Sequence, residues 1–202
     1  AVESQPLLFA RLHALAAAVL DGAGYQSAAA ERIGYALKAA PDHLPIARMT
    51  AVARMAIGDI DGALAAIQPL MESDHAQQGT VWHGCLLIRA NRHAEGIAML
   101  TTLVPQLTLP HLRHVSVEGR TCLAQAYLAT GDVQAARTVL SVARSTVRKY
   151  PHPELKWRVA MLDGQVAAAL GRVGDASGAL RQGLEGYMNN LGERPWRGAT
   201  LP

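Results

Sequence analysis

Aromatic side chains are scarce in this sequence: three Trp, five Tyr and one Phe make up 4% of its 202 residues. A chain so poor in large rings has to gain its burial from many close contacts between small side chains. Cysteine is scarcer still. Two cysteines cannot build a disulfide framework, so nothing in the composition demands an oxidising compartment, and a cytoplasmic location is expected. Uncharged apolar runs of the ~18 residues needed to cross a bilayer are absent, which excludes a membrane-spanning helix. The apolar stretch from Leu7 to Leu20 holds Arg11 and His13 and has no basic segment before it, which argues against a retained signal peptide. Blocks of five like charges are also missing. The surplus of positive charge is only +3, spread along the chain rather than gathered into a stripe, so nucleic acid is not an expected partner.

What is present is small residues and helix formers. The chain carries 37 Ala and 18 Gly, is 50% hydrophobic and only 17% charged. That balance excludes intrinsic disorder, which needs low hydrophobicity and high net charge. The first residue is Ala rather than Met, so the sequence is expected to be a piece of something longer.

A short pattern recurs five times: a turn residue, then a helical run with a small residue five places on. It reads Gly24 to Ala29, Gly58 to Ala63, Asn91 to Gly96, Gly131 to Ala136 and Gly171 to Ala176, with intervals of 34, 33, 40 and 40 between turn residues. Seven residues before each turn stands Ala17, Ala51, Gly84, Ala124 or Gly164, and nine after it Ile33, Ile67, Leu100, Leu140 or Leu180. Apolar residues after the turns follow helical spacing, as Val133, Ala136, Val139, Leu140, Ala143 and Val147 do. Gly or Asn at the turn supplies the left-handed residue that ends a helix. Two antiparallel helices so joined approach closely where both side chains are tiny, and all ten of those positions are Ala or Gly.

This pattern resembles the tetratricopeptide repeat. The first unit matches the family best, with Ala17, Gly24, Ala29, Ala36 and Pro41 in place; the fourth adds Tyr127 at an aromatic position, with Ala124, Gly131, Asp132, Ala136 and Ala143. The second and third units depart from it, carrying Leu70 and Leu103 where a small residue is usual late in the second helix. The resemblance implies an all-α, right-handed α-solenoid of about five antiparallel helix pairs, over residues 1–190, with a non-repeat tail over 191–202 in which Trp196 either folds back or hangs loose. Helices are expected at 5–21, 26–40, 44–57, 60–72, 77–90, 93–104, 110–130, 133–150, 153–171 and 173–190. The two 40-residue intervals imply lengthened helices, as some bacterial regulators and motor light chains of the family have. Pro41, Pro45, Pro105, Pro110, Pro151 and Pro153 fall in connections or first turns, where a missing N–H is tolerated. Pro69 lies inside the fourth helix and predicts a kink or an early end.

In the family, the first helix of each pair lines a groove that accepts a partner's peptide. Carried over position by position, the groove consists of Arg11, Ala14 and Ala18, then Arg48, Met49, Val52 and Met55, then Trp82, Cys85 and Arg89, then Cys122 and Gln125, and finally Arg158, Leu162 and Gln165. The asparagine by which chaperone-binding relatives clamp a C-terminal carboxylate is replaced by Ala18, Val52, Cys85, Gln125 and Gln165, which disfavours a carboxylate clamp. The groove reads as apolar with Arg11, Arg48, Arg89 and Arg158 along it. The expected partner is therefore a protein or peptide with an apolar segment and acidic residues, anchored by Trp82 and Met55. The competing reading is that both anchors simply fill the core between units.

Nothing in the sequence makes a case for catalysis or a cofactor. His111 and His114 stand three apart, but a metal site needs further ligands and none is evident nearby. Cys85 and Cys122 are expected to be ordinary buried thiols, with a redox-sensitive pair as the lesser alternative. Glycine loops for phosphate, nucleophile elbows and zinc cysteine pairs are absent. The leading expectation is a non-enzymatic scaffold for protein binding. The alternative is a sensory or regulatory domain of a larger bacterial signalling or transcription-regulator protein, which would hold a small effector or peptide. The first helix, with Leu7, Leu8, Phe9, Leu12 and Leu15, is too apolar for a free end, so it is expected to pack on a preceding segment or make a homodimer.

Overall fold

The computed structural model describes residues 5–22, 26–39, 44–56 and 58–192. The expectations placed on Gly24, Pro41 and Trp196 lie outside the described residues, as do the side chains of Arg11, Ala14 and Ala18. The described residues form α-helices and no strand: α1 (Gln5–Gly22), α2 (Gln26–Ala39), α3 (Leu44–Ala56), α4 (Ile60–Met71), α5 (Ala76–Arg89), α6 (His93–Leu103), α7 (Arg113–Ala129), α8 (Val133–Lys149), α9 (Pro153–Ala169) and α10 (Val173–Gly192). The chain divides into two compact units, Ala1–Glu95 and Gly96–Pro202, with the boundary inside α6.

The turns are built as the small-residue pattern implies. Gly58, Asn91, Gly131 and Gly171 all have positive φ, between 61° and 83°. At each, the turn residue donates back to the carbonyl three before it, and the next residue to the carbonyl five before it. Gly58 N–H reaches Met55 O at 3.1 Å and Asp59 N–H reaches Arg54 O at 2.9 Å; Gly131 and Asp132 repeat this onto Leu128 and Tyr127. This is the Schellman closure, which satisfies carbonyls that the helix end leaves open.

The residue after the turn then decides how the next helix begins. Where it is Asp, its carboxylate caps the helix: Asp59 accepts from Gly62 N–H and Asp132 from Ala135 N–H, both at 2.9 Å. Where it is Arg, the side chain instead pairs with a carboxylate three residues on, as Arg92 does with Glu95 and Arg172 with Asp175. The Arg92 partnership holds the exposed Glu95 carboxyl below its usual range. Asp132→Ala is expected to lower stability by about 1 kcal/mol, the usual worth of an N-cap. Thermal unfolding of the variant against the parent chain measures it, and an unchanged midpoint would remove the cap from the account.

All ten tiny positions of the repeat are buried where the sequence pattern puts them. In the first unit Ala17 of α1 clusters with Ala29 and Ile33 of α2, and Ala10 clusters with Ala36 and Ile46. In the second unit a larger core gathers Val117 and Ala124 of α7, Ala136, Leu140, Ala143 and Val147 of α8, and Leu155, Val159, Leu162 and Val166 of α9. Alanine pairs let the helices approach, and Ile67, Leu70, Val81 and Leu86 add larger buried side chains in the first unit.

One length expectation needs adjusting. The interval from Asn91 to Gly131 is not filled by two long helices: α6 has only 11 residues, and the connection takes up Val104–Gln106 and Pro110–Leu112 as single 3-10 turns before α7. Pro105 and Pro110 have no N–H to donate and cannot continue an α-helix there. The interval from Gly131 to Gly171 does hold two long helices, α8 and α9, of 17 residues each. Pro69 shortens α4, which ends two residues later at Met71.

Candidate functional site

In the first unit, α3 and α5 carry the described groove residues. Helix α3 buries Ile46, Ala47, Thr50 and Ala51 and turns Arg48, Met49, Val52 and Met55 away from them. Thr50 keeps its hydroxyl satisfied inside by donating to Ile46 O at 2.8 Å. Met49 is 38% exposed and Val52 48%, a pair three residues apart on one face of the helix. Trp82 of α5, by contrast, is only 7% exposed, and the Arg48 guanidinium lies over its ring with 5.0 Å to the ring centre. The indole therefore serves as a platform that orients Arg48 on α3. Arg89 closes α5 with an exposed side chain.

His83, the neighbour of Trp82, sits half-buried in the same helix. Burial first, and then the positive charge of Arg92, hold its imidazole below the ordinary histidine range, with Glu95 opposing. The unfolded chain takes that proton more readily than the folded one. Its contribution to stability is therefore present above the ordinary histidine range and lost as the pH falls through it.

In the second unit, α7 and α9 carry the corresponding positions. Gln125 and Gln165 are exposed, whereas Leu162 is part of the core. Arg158 is held by its own chain: it donates to Glu154 at 2.8 Å, one turn earlier on α9, and lies 3.8 Å from the largely buried Glu118 of α7. Its charge is spent on cross-linking the two helices. Arg144 of α8 bridges to Asp163 of α9 with both carboxylate oxygens engaged, a second ionic tie between consecutive hairpins.

Cys85 and Cys122 are both buried, and neither is a free thiol. The expectation of ordinary thiols at these positions is corrected, because spacing along a chain places a cysteine on a helix face but gives no distance to other sulfur atoms. Among the described residues no group of three or more His, Cys, Asp or Glu is placed to hold a metal ion; His111 lies in a 3-10 turn and His114 at the start of α7, both exposed. Also among the described residues, no helix is long and apolar enough to cross a membrane. A recess of about 360 Å³ in the second unit is lined by Pro153, Lys156 and Trp157 of α9 and Gln182, Glu185 and Asn189 of α10. The Trp157 ring is fixed edge-on against Tyr187, with 5.0 Å between ring centres.

Comparison with known proteins now adds to this geometry. A tetratricopeptide repeat protein from Parabacteroides merdae, known from its crystal structure, superposes with a TM-score of 0.66 at 15% identity, covering 87% of this chain and 64% of that one. The fold is a tetratricopeptide-like helical repeat. Two crystal structures of MamA match the tetratricopeptide-like chain with TM-scores of 0.52 at 15% and 14% identity, covering 87% and 92% of this chain and 96% of theirs. No family profile matches the sequence, and no curated protein matches it. The tetratricopeptide-like reading thus rests on the turns, the tiny helix contacts and the backbone likeness together.

Proposed function

We propose that this tetratricopeptide-like chain is a non-catalytic scaffold that binds a peptide segment of a partner protein along the first helices of its hairpins. In the first unit the docking strip is Met49, Val52 and Met55 on α3, flanked by Arg48 and Arg89. One observation carries the reading: Met49 and Val52 stay exposed, and Met55 half-exposed, on a helix that buries Ile46, Ala47 and Ala51 on its other face. Covering such surface removes it from water at about 25 cal/mol per Å², and Met adapts to varied apolar partners. Arg48, oriented by Trp82, and Arg89 give the strip a positive border that suits a segment carrying Asp or Glu.

The recess between α9 and α10 does not favour a small-effector sensor. Such a site is enclosed and mostly apolar, whereas this one opens to solvent and is lined by Lys156, Gln182, Glu185 and Asn189.

Fluorescence anisotropy with labelled peptides tests the scaffold directly. Peptides combining apolar with acidic residues, apolar with basic residues, and polar residues alone are titrated with the 202-residue chain. The apolar-acidic set is expected to bind best, and Val52→Glu to weaken it by about tenfold. Arg48→Ala together with Arg89→Ala should weaken it several-fold and flatten its salt dependence. Equal binding of acidic and basic peptides removes the charge part; an unchanged affinity in Val52→Glu removes the site.

A further inference from the structure

The apolar face of α1 has a definite counterpart among the later helices of the same chain. Counting back twelve residues from each turn residue of the repeat pattern gives Leu12, Ile46, Gly79, Gly119 and Val159. The last four are buried, and at three of them the structure shows why: the position packs against the second helix of the preceding hairpin. Ile46 clusters with Ala36 of α2. Gly79 lies so close to α4 that an added Cβ would stand 2.9 Å from the backbone of Leu70 and Met71. Val159 clusters with Ala143 and Val147 of α8. Leu12, by contrast, is 57% exposed, and Leu8 and Phe9 beside it are 49% and 48% exposed. Four positions earlier, Val115 and Leu155 of the last two hairpins are buried where Leu8 is open, whereas His75 at the same register before α5 is exposed. Helix α1 thus exposes apolar side chains at register positions that later first helices bury against the second helix before them.

The other half of that interface stands open on α10. In earlier hairpins the outer stripe of the second helix reaches the next first helix: Thr101 of α6 meets the Tyr127 hydroxyl of α7 at 3.4 Å, and Arg144 of α8 bonds Asp163 of α9. The residue of α10 matching Arg144, thirteen after the turn, is Leu184. It is 56% exposed, and Met188 one turn further on is 52% exposed. An apolar pair at i and i+4 thus faces outward on α10, as Leu8 and Leu12 do on α1.

We infer that α1 of one copy docks on α10 of a second copy, with Leu8, Phe9 and Leu12 against Leu184 and Met188, which continues the chain's own hairpin-to-hairpin interface from one molecule into the next. The two patches differ, so the contact is head-to-tail. Such contacts propagate into open chains unless a ring closes, whereas a symmetric pair stops at two.

Sedimentation velocity over about a hundredfold range of concentration tests this. The parent chain is expected to sediment faster as concentration rises. Leu12→Glu and Met188→Glu are each expected to weaken association by at least about tenfold, with helix content unchanged, and thermal midpoint unchanged at concentrations where the parent is monomeric, because both side chains are exposed. The decisive arm is an equimolar mixture of the two variants. The Leu12→Glu copy keeps its α10 patch and the Met188→Glu copy keeps its α1 patch, so the mixture should form a one-to-one complex and nothing larger. A parent chain that stays monomeric throughout overturns the inference. So does loss of association in Leu12→Glu but not in Met188→Glu, which would mark a symmetric contact through α1, and so does a mixture that fails to pair.

Discussion

Leu140→Ala is expected to lower the stability of the chain by about 2–5 kcal/mol, the range for emptying a fully enclosed leucine site. Leu140 sits in the middle of α8, fully buried, among Val117 and Ala124 of α7, Ala136 and Ala143 on its own helix, and Val159, Leu162 and Val166 of α9. Its side chain is therefore shared by three consecutive helices of one unit. Backbones that are already close through Ala124 and Ala136 cannot draw together to refill the space, so the loss should fall in the upper part of the range. Val142→Ala, two residues away and exposed, is the matched control and should change stability by no more than about 0.5 kcal/mol. Urea unfolding followed by circular dichroism compares the two. Equal effects at both positions would mean that the core of the second unit is not centred on Leu140.

A single added methyl group gives the second large effect, with opposite signs at two glycines of the last hairpin. A Cβ at Gly164 of α9 would stand 2.5 Å from Leu180 Cγ, 2.7 Å from its Cδ2 and 3.1 Å from its backbone nitrogen. The leucine side chain can turn aside only in part, and the backbone of α10 cannot, so Gly164→Ala should destabilise by about 1–3 kcal/mol through overpacking. That outweighs the gain of about 0.5–1 kcal/mol that replacing a helical glycine ordinarily brings. Gly178 of α10 has nothing within 4 Å of its would-be Cβ, so Gly178→Ala should realise the gain and raise stability by about that amount. Thermal unfolding of both variants reads the sign directly. A stabilised Gly164→Ala would show that the two helices do not approach as closely as described.

These glycines also mark what was legible without coordinates. Gly164 belongs to the set of tiny residues seven before each turn, and the spacing alone identified it as a helix contact. Whether alanine could serve there, as it does at Ala17, Ala51 and Ala124, depends on how near Leu180 comes, and no periodicity encodes that separation. The same division runs through the binding face. Helical spacing placed Arg48, Met49, Val52, Trp82 and Leu162 on first helices. It did not distinguish the exposed Met49 and Val52 from the buried Trp82 and Leu162, because a residue on the flank of a helix is covered or open according to the neighbour packed beside it. Arg158 looked like one cation in a row; Glu154 pairs with it one turn earlier on the same helix, and only the tertiary placement of Glu118 adds the contact across helices.

The sequence by itself determined the helices, the left-handed turn residues and the tiny contacts between paired helices, because each depends on residues within one turn or one hairpin of each other. It also carried the run of apolar residues on α1, of which Leu8, Phe9 and Leu12 are exposed. Tertiary structure decided which flanks remain open, Leu184 and Met188 of α10 among them, which cations are already paired, and how the interval before α7 is divided between helix and 3-10 turn. Those outcomes depend on side chains from separate hairpins meeting in space, where a shift of a few ångströms changes a contact into an exposed surface.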